Sequence, residues 1–181
     1  MKKRSCTILL EGVNDAPPWA KRICADFKFV LISANEVTQA IKRELTPIVD
    51  PQLTLAEQIR WIGEHAPEIE AKYLRQRGIG RERVIFEGGL GWFQHLGYPD
   101  GCIVDLTSHT IAYRRIDALD DRKVVLRRLS EVRRSVRRRV AMHFSPERVG
   151  YLPARWSDSK KYAGALSALR KWEVLKQLGQ E

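Results

Sequence analysis

No run of apolar residues in the chain approaches the roughly 18 needed to cross a bilayer, so a membrane-spanning helix is excluded and no membrane partner is expected. The apolar stretch that follows Met1-Lys2-Lys3-Arg4 is only about five residues long and ends at Glu11, too short for the core of a secretion signal. The expected location is therefore the cytoplasm. Cysteine is scarce. Cys6, Cys24 and Cys102 are odd in number, far apart and without C-x-x-C spacing, which excludes both a disulfide framework and a cysteine zinc site. Each stands among apolar neighbours, where a thiol behaves as a small buried hydrophobe.

Catalytic patterns are also missing. His65, His95, His109 and His143 are scattered singly, and none belongs to an H-E-x-x-H metal motif. Gly88-Gly89-Leu90-Gly91 lacks the Lys-Ser/Thr of a P-loop and is not an intact G-x-G-x-x-G, so it reads as turn geometry. Cys102, Asp105 and His109 are close in sequence, but they fit an ordinary strand and turn better than a thiol nucleophile with its base. No metal, cofactor or catalytic set is expected on these grounds.

What remains is the composition of a folded protein. With 181 residues, 44% of them hydrophobic and 30% charged, the chain suits a single domain over 1–181, read as an α/β part (1–118) with a basic helical part (119–181) packed on it. The fold class expected is mixed, α/β or α+β. Ser5 to Glu11 reads as a strand, and Asp15-Ala16-Pro17-Pro18-Trp19 opens a helix that ends near Asp26, the aspartate capping and the prolines fitting the first turn. Phe27 to Ile32 reads as a second strand. Ser33-x-x-Glu36 and Thr54-x-x-Glu57 have capping-box spacing; the first helix buries Val37, Ala40, Ile41 and Leu45, the second turns Ile59 and Ile62 inward, restarts at Ala66-Pro67-Glu68 and ends at Gly78. The N-terminal part is thus β-α-β-α-α.

Seven of the 12 glycines fall between Gly78 and Gly101, among short apolar runs, which predicts a small Gly-rich mid-chain sheet. A hairpin is expected to join Gly101–Leu106 to Thr110–Ile116 across Thr107-Ser108-His109. The remainder reads as a C-terminal helical pair. Val125, Leu129, Val132, Val136 and Val140 lie on one face of a long helix, and Tyr162, Leu166, Leu169, Trp172 and Leu175 on one face of a last one. Residues 149–156 are expected to be a loop packed through its aromatics.

Charge is distributed unevenly. Residues 1–100 carry 14 Lys and Arg against 13 Asp and Glu, whereas residues 101–181 carry 18 against 9. Between Arg114 and Arg139 there are 11 basic residues and 4 acidic ones, and of the basic ones only Lys123 is not arginine. A guanidinium presents a planar, permanently charged fork that matches phosphate oxygens, so the arginine bias favours phosphate recognition over mere solubility. The candidate nucleic-acid-binding residues are Arg114, Arg115, Arg127, Arg128, Arg134, Arg137 and Arg138, with Arg155, Lys160 and Lys161 as a rim. The expected function is a nucleic-acid-binding or nucleic-acid-complex accessory protein with DNA or RNA as partner.

Two alternatives use the same residues. A protein that sets this basic helix against an acidic protein surface has the same charge pattern. Pro99-Asp100 followed by Asp121-Arg122-Lys123 also resembles the PD and D-x-K elements of restriction-like nucleases. That resemblance implies two carboxylates on a divalent metal and a lysine orienting water, with Glu87 and Asp105 as further carboxylates. In that family the D-x-K triplet lies on a strand, whereas Asp121 here stands where a helix begins.

Overall fold

The computed structural model describes residues 5–11, 16–88, 99–106 and 122–175, without the side chains of 122–126 and 128. The fold is mixed α/β. Five strands, β1 (Cys6–Glu11), β2 (Val30–Ser33), β3 (Arg83–Glu87), β4 (Gly101–Asp105) and β5 (Val149–Leu152), form one sheet in the order β2-β3-β1-β4-β5. Every pairing is parallel. Between the strands run α1 (Pro18–Phe27), α2 (Ala34–Leu45), α3 (Leu55–Gln76), α4 (Arg122–Ala141) and, after β5, α5 (Asp158–Lys171).

Parallel strands buried on both faces read as continuous apolar runs, as β1, β3 and β4 do. Alternate residues feed two cores. Leu9, Ile32, Val84, Phe86, Cys102 and Val104 face α2, α3 and α4, while Ile8, Leu10, Ile85, Ile103 and Leu152 face α1 and α5. The crossovers from β2 to β3 and from β4 to β5 step one way across the sheet and carry their helices on the first face. The crossover from β1 to β2 steps the other way and carries α1 on the second, as a uniform handedness of crossover requires.

Local signals behave as their chemistry dictates. The Ser33 side chain accepts the Glu36 N–H at 3.1 Å, and Thr54 with Glu57 makes a full capping box. Val37, Ala40 and Leu45 are buried, and Gly78 ends the α3 segment with a φ of +103°. The cap of α1 is Pro17, which offers no side-chain bond; Asp15 lies outside the described residues. Phe27 closes α1 instead of opening β2, because Lys28 takes a left-handed conformation and donates its N–H to the Cys24 carbonyl.

Larger expectations change as well. β3 and β4 belong to the same sheet as β1, so among the described residues there is no separate mid-chain sheet. β4 pairs with β1 on one edge and β5 on the other, and the second strand of the expected hairpin, 110–116, lies outside the described residues. Residues 149–152 are strand β5, and α4 and α5 pack on opposite faces, so they are not a helical pair. Finally, α3 runs unbroken through Pro67, and its first half projects from the fold: Leu55, Ile59 and Ile62 are 73%, 62% and 37% exposed. A helical period shows that residues share a face and does not show that the face meets the core.

Candidate nucleic-acid interface

In open parallel sheets, ligands bind beyond the carboxyl ends of the strands, where neighbouring strands send their connections to opposite sides. Here that point lies between β1, which leads toward β2, and β4, which leads toward β5. Two acidic side chains mark it. Glu11 ends β1 and Asp105 ends β4, each 2% exposed, and the strand pleat points them to opposite faces.

Both are engaged by the chain itself. On the first face Arg139 of α4 donates to Glu11 Oε1 at 2.5 Å. On the second, Lys161 Nζ lies 3.0 and 3.2 Å from the two oxygens of Asp105, and the Trp19 indole donates to Oδ2 at 3.0 Å. Lys161 is only 4% exposed, so it is a buried partner of Asp105 and not part of a basic rim. Carboxylates removed from water need such charged partners or they protonate.

The same end of the sheet explains a pattern the sequence reading missed. Between β1 and α1, Gly12 is followed by Pro17, Pro18 and Trp19 at the positions where the P-loop pattern has Gly, Lys and Ser or Thr. A P-loop cradles phosphate with backbone N–H groups at a helix start. Pro17 and Pro18 have no N–H to give, and the N–H groups of Ala20 and Lys21 both donate to the Pro17 carbonyl at 2.9 and 3.1 Å. The Trp19 side chain is buried and committed to Asp105. The signal was legible as a glycine five residues ahead of a Pro-Pro pair directly after a strand.

Helix α4 carries the basic residues outward. Leu129, Val136 and Val140 are buried; displaced by two residues, about 200° around the helix, Arg127, Arg134 and Arg138 repeat the same spacing on the exposed side. Arg137 is also exposed, and its guanidinium lies 5.4 Å from the centroid of the Tyr151 ring on β5. Arg139 meets Glu11 at the carboxyl end of β1, Arg137 stands over Tyr151 of β5, and Val136 and Val140 lie in the core of the first face, so this part of α4 packs on the sheet.

Among the described residues, one carboxylate pairs with this face: Glu131 lies 3.3 Å from Arg127, both well exposed. Among the described residues no ion pair reaches Arg134, Arg137 or Arg138, the glutamates of α3 included. Arg155 and Lys160 are exposed just after β5. Arg114, Arg115 and the side chain of Arg128 lie outside the described residues.

The other candidates separate. Cys102 and Asp105 point to opposite faces of the sheet, so they cannot form one constellation; burial and the negative charge of Glu11 push the Cys102 thiol far up, and His109 lies outside the described residues. Asp100 stands before β4 and accepts the Thr7 N–H at 2.7 Å, while Arg122 and Lys123 open α4 and are not on a strand as a D-x-K triplet would be; Asp121 lies outside the described residues. No group of three metal-ligating side chains converges among the described residues. No described helix is long and apolar enough to cross a membrane.

The architecture these observations define is a parallel, doubly wound α/β sheet with an arginine-rich helix, α4, on one of its faces. No protein-family model matches the chain, and no curated protein is significantly similar to it.

Proposed function

We propose that the protein binds nucleic acid through the exposed face of α4, with Arg127, Arg134, Arg137 and Arg138 contacting phosphates and Arg155 and Lys160 at the rim. Arg114, Arg115 and Arg128 extend the same patch in sequence. The observation that carries this reading is the pairing pattern: Arg139 is engaged by Glu11, whereas Arg134, Arg137 and Arg138 are exposed with no carboxylate partner among the described residues. Like charges at i, i+4, such as Arg134 and Arg138, destabilise the helix that carries them, and phosphates would relieve that repulsion. The Pro17-Pro18 start of α1 supports placing phosphate contacts on α4 and not at the head of α1.

The test is binding of labelled DNA and RNA across a salt series, beside a variant with Arg134, Arg137 and Arg138 changed to Ala. Wild-type affinity should fall steeply with salt, and the variant's slope should be lower by about 2 to 3. Absence of binding at low salt overturns the proposal and points to an acidic protein partner. Cleavage that requires Mg²⁺ would instead promote the nuclease alternative.

A further inference from the structure

Tyr151 is an aromatic residue on an edge strand, beside the arginines, and 37% exposed. The pleat of β5 explains its direction. Gly150 and Leu152 turn toward α5, where the Ala168 Cβ would lie 3.0 Å from a Cβ at Gly150, and Tyr151 turns to the face of α4. It is not part of either buried core. The Arg137 guanidinium lies over its ring, 5.4 Å from the centroid, so ring and cation form one positively charged platform next to Arg134 and Arg138.

An aromatic platform set among phosphate-binding cations suits bases that are free to leave a stack. In a duplex the base faces are hidden, so an exposed ring gains nothing from them, whereas in a single strand each base offers a π-face. Resting on the reading of α4 above, we infer that the ligand is single-stranded nucleic acid, with a base stacked on the Tyr151–Arg137 platform and the flanking phosphates held by Arg134 and Arg138. The phenol hydroxyl plays no part in stacking, so Phe should replace Tyr151 and Ala should not.

The experiment compares three probes: a labelled 15-nucleotide single strand, as oligo(dT) and oligo(rU), a duplex of the same length, and heparin, which is polyanionic without bases. The intact protein should prefer the single strand. Tyr151→Ala should weaken single-strand binding about tenfold, leaving heparin affinity and the salt slope unchanged, and Tyr151→Phe should stay within about twofold of wild type. The arginine variant should lose affinity for all three probes. If the duplex binds as tightly as the single strand, or Tyr151→Ala lowers heparin binding in proportion, the stacking inference falls and the α4 reading stands. If wild type binds none of the probes, both fall.

Discussion

The ammonium of Lys161, in the first turn of α5, sits 3.0 Å from Oδ1 of Asp105 at the end of β4, with both side chains almost wholly withdrawn from water. This pair, with the Trp19 indole on the same carboxylate, joins α1, β4 and α5 at one point. Removing one member leaves a buried charge without its partner, which costs on the order of 3 to 5 kcal/mol, whereas replacing both by apolar residues of similar size costs far less. Lys161→Met alone should therefore lower the unfolding free energy by about that amount. Lys161→Met with Asp105→Leu should recover part of it, the remainder being the hydrogen bond lost by the buried Trp19 indole. Urea unfolding of the two variants checks this, and equal losses in both would show that the pair holds no such role.

Crowding at Gly101 gives a second expectation. A Cβ there would stand 2.8 Å from two ring carbons of Trp172, and that ring is held by a hydrogen bond from its Nε1 to the Glu147 carbonyl at 2.6 Å. Since the indole cannot swing away without breaking this bond, Gly101→Ala should destabilise by about 1 to 3 kcal/mol. Thermal unfolding checks it, and an unchanged midpoint would mean that the strand shifts freely.

Glu70 supplies a pH dependence. It is buried on α3, its Oε1 has no hydrogen-bond partner, and burial raises its carboxyl to about 7. Because the folded state holds this proton more tightly than the unfolded chain, stability from this group is present below the unfolded value near 4.3 and is lost as the pH rises through about 7. Glu70→Gln should be more stable than wild type at pH 8, by on the order of 1 kcal/mol, and the gain should vanish below about pH 4. Stability curves at both pH values test it. A gain independent of pH would trace the effect to something other than titration.

The parts of the fold that were legible in the sequence are those decided within a few residues. Ser33 and Thr54 satisfy free amides three positions ahead, and the apolar runs of β1 and β3 name themselves as strands. The order of the strands was not legible, since β1 finds its neighbours in β3 and β4, far along the chain, and nothing local encodes that choice. The same distance hid the fate of Lys161, whose partner lies 56 residues away, and of Arg139, whose partner lies 128 away. Adjacent arginines look alike in sequence, yet about 100° of helical rotation separates Arg138, which faces solvent, from Arg139, which meets Glu11. The outward tilt of Ile59 and Ile62 escaped the periodic reading because it depends on where α3 leaves the sheet.

The central place of β1 carries a consequence for how the protein is made. Synthesis delivers this strand before the other four, and the two segments that cover its edges emerge only after residues 83 and 101. Until then an apolar strand with open edges has no native partner, and closing each pairing costs the entropy of a long loop. Parallel pairings of this span fold slowly and leave intermediates prone to association. Nascent chains halted before β3 should engage holding chaperones, and those carrying β3 and β4 should release them.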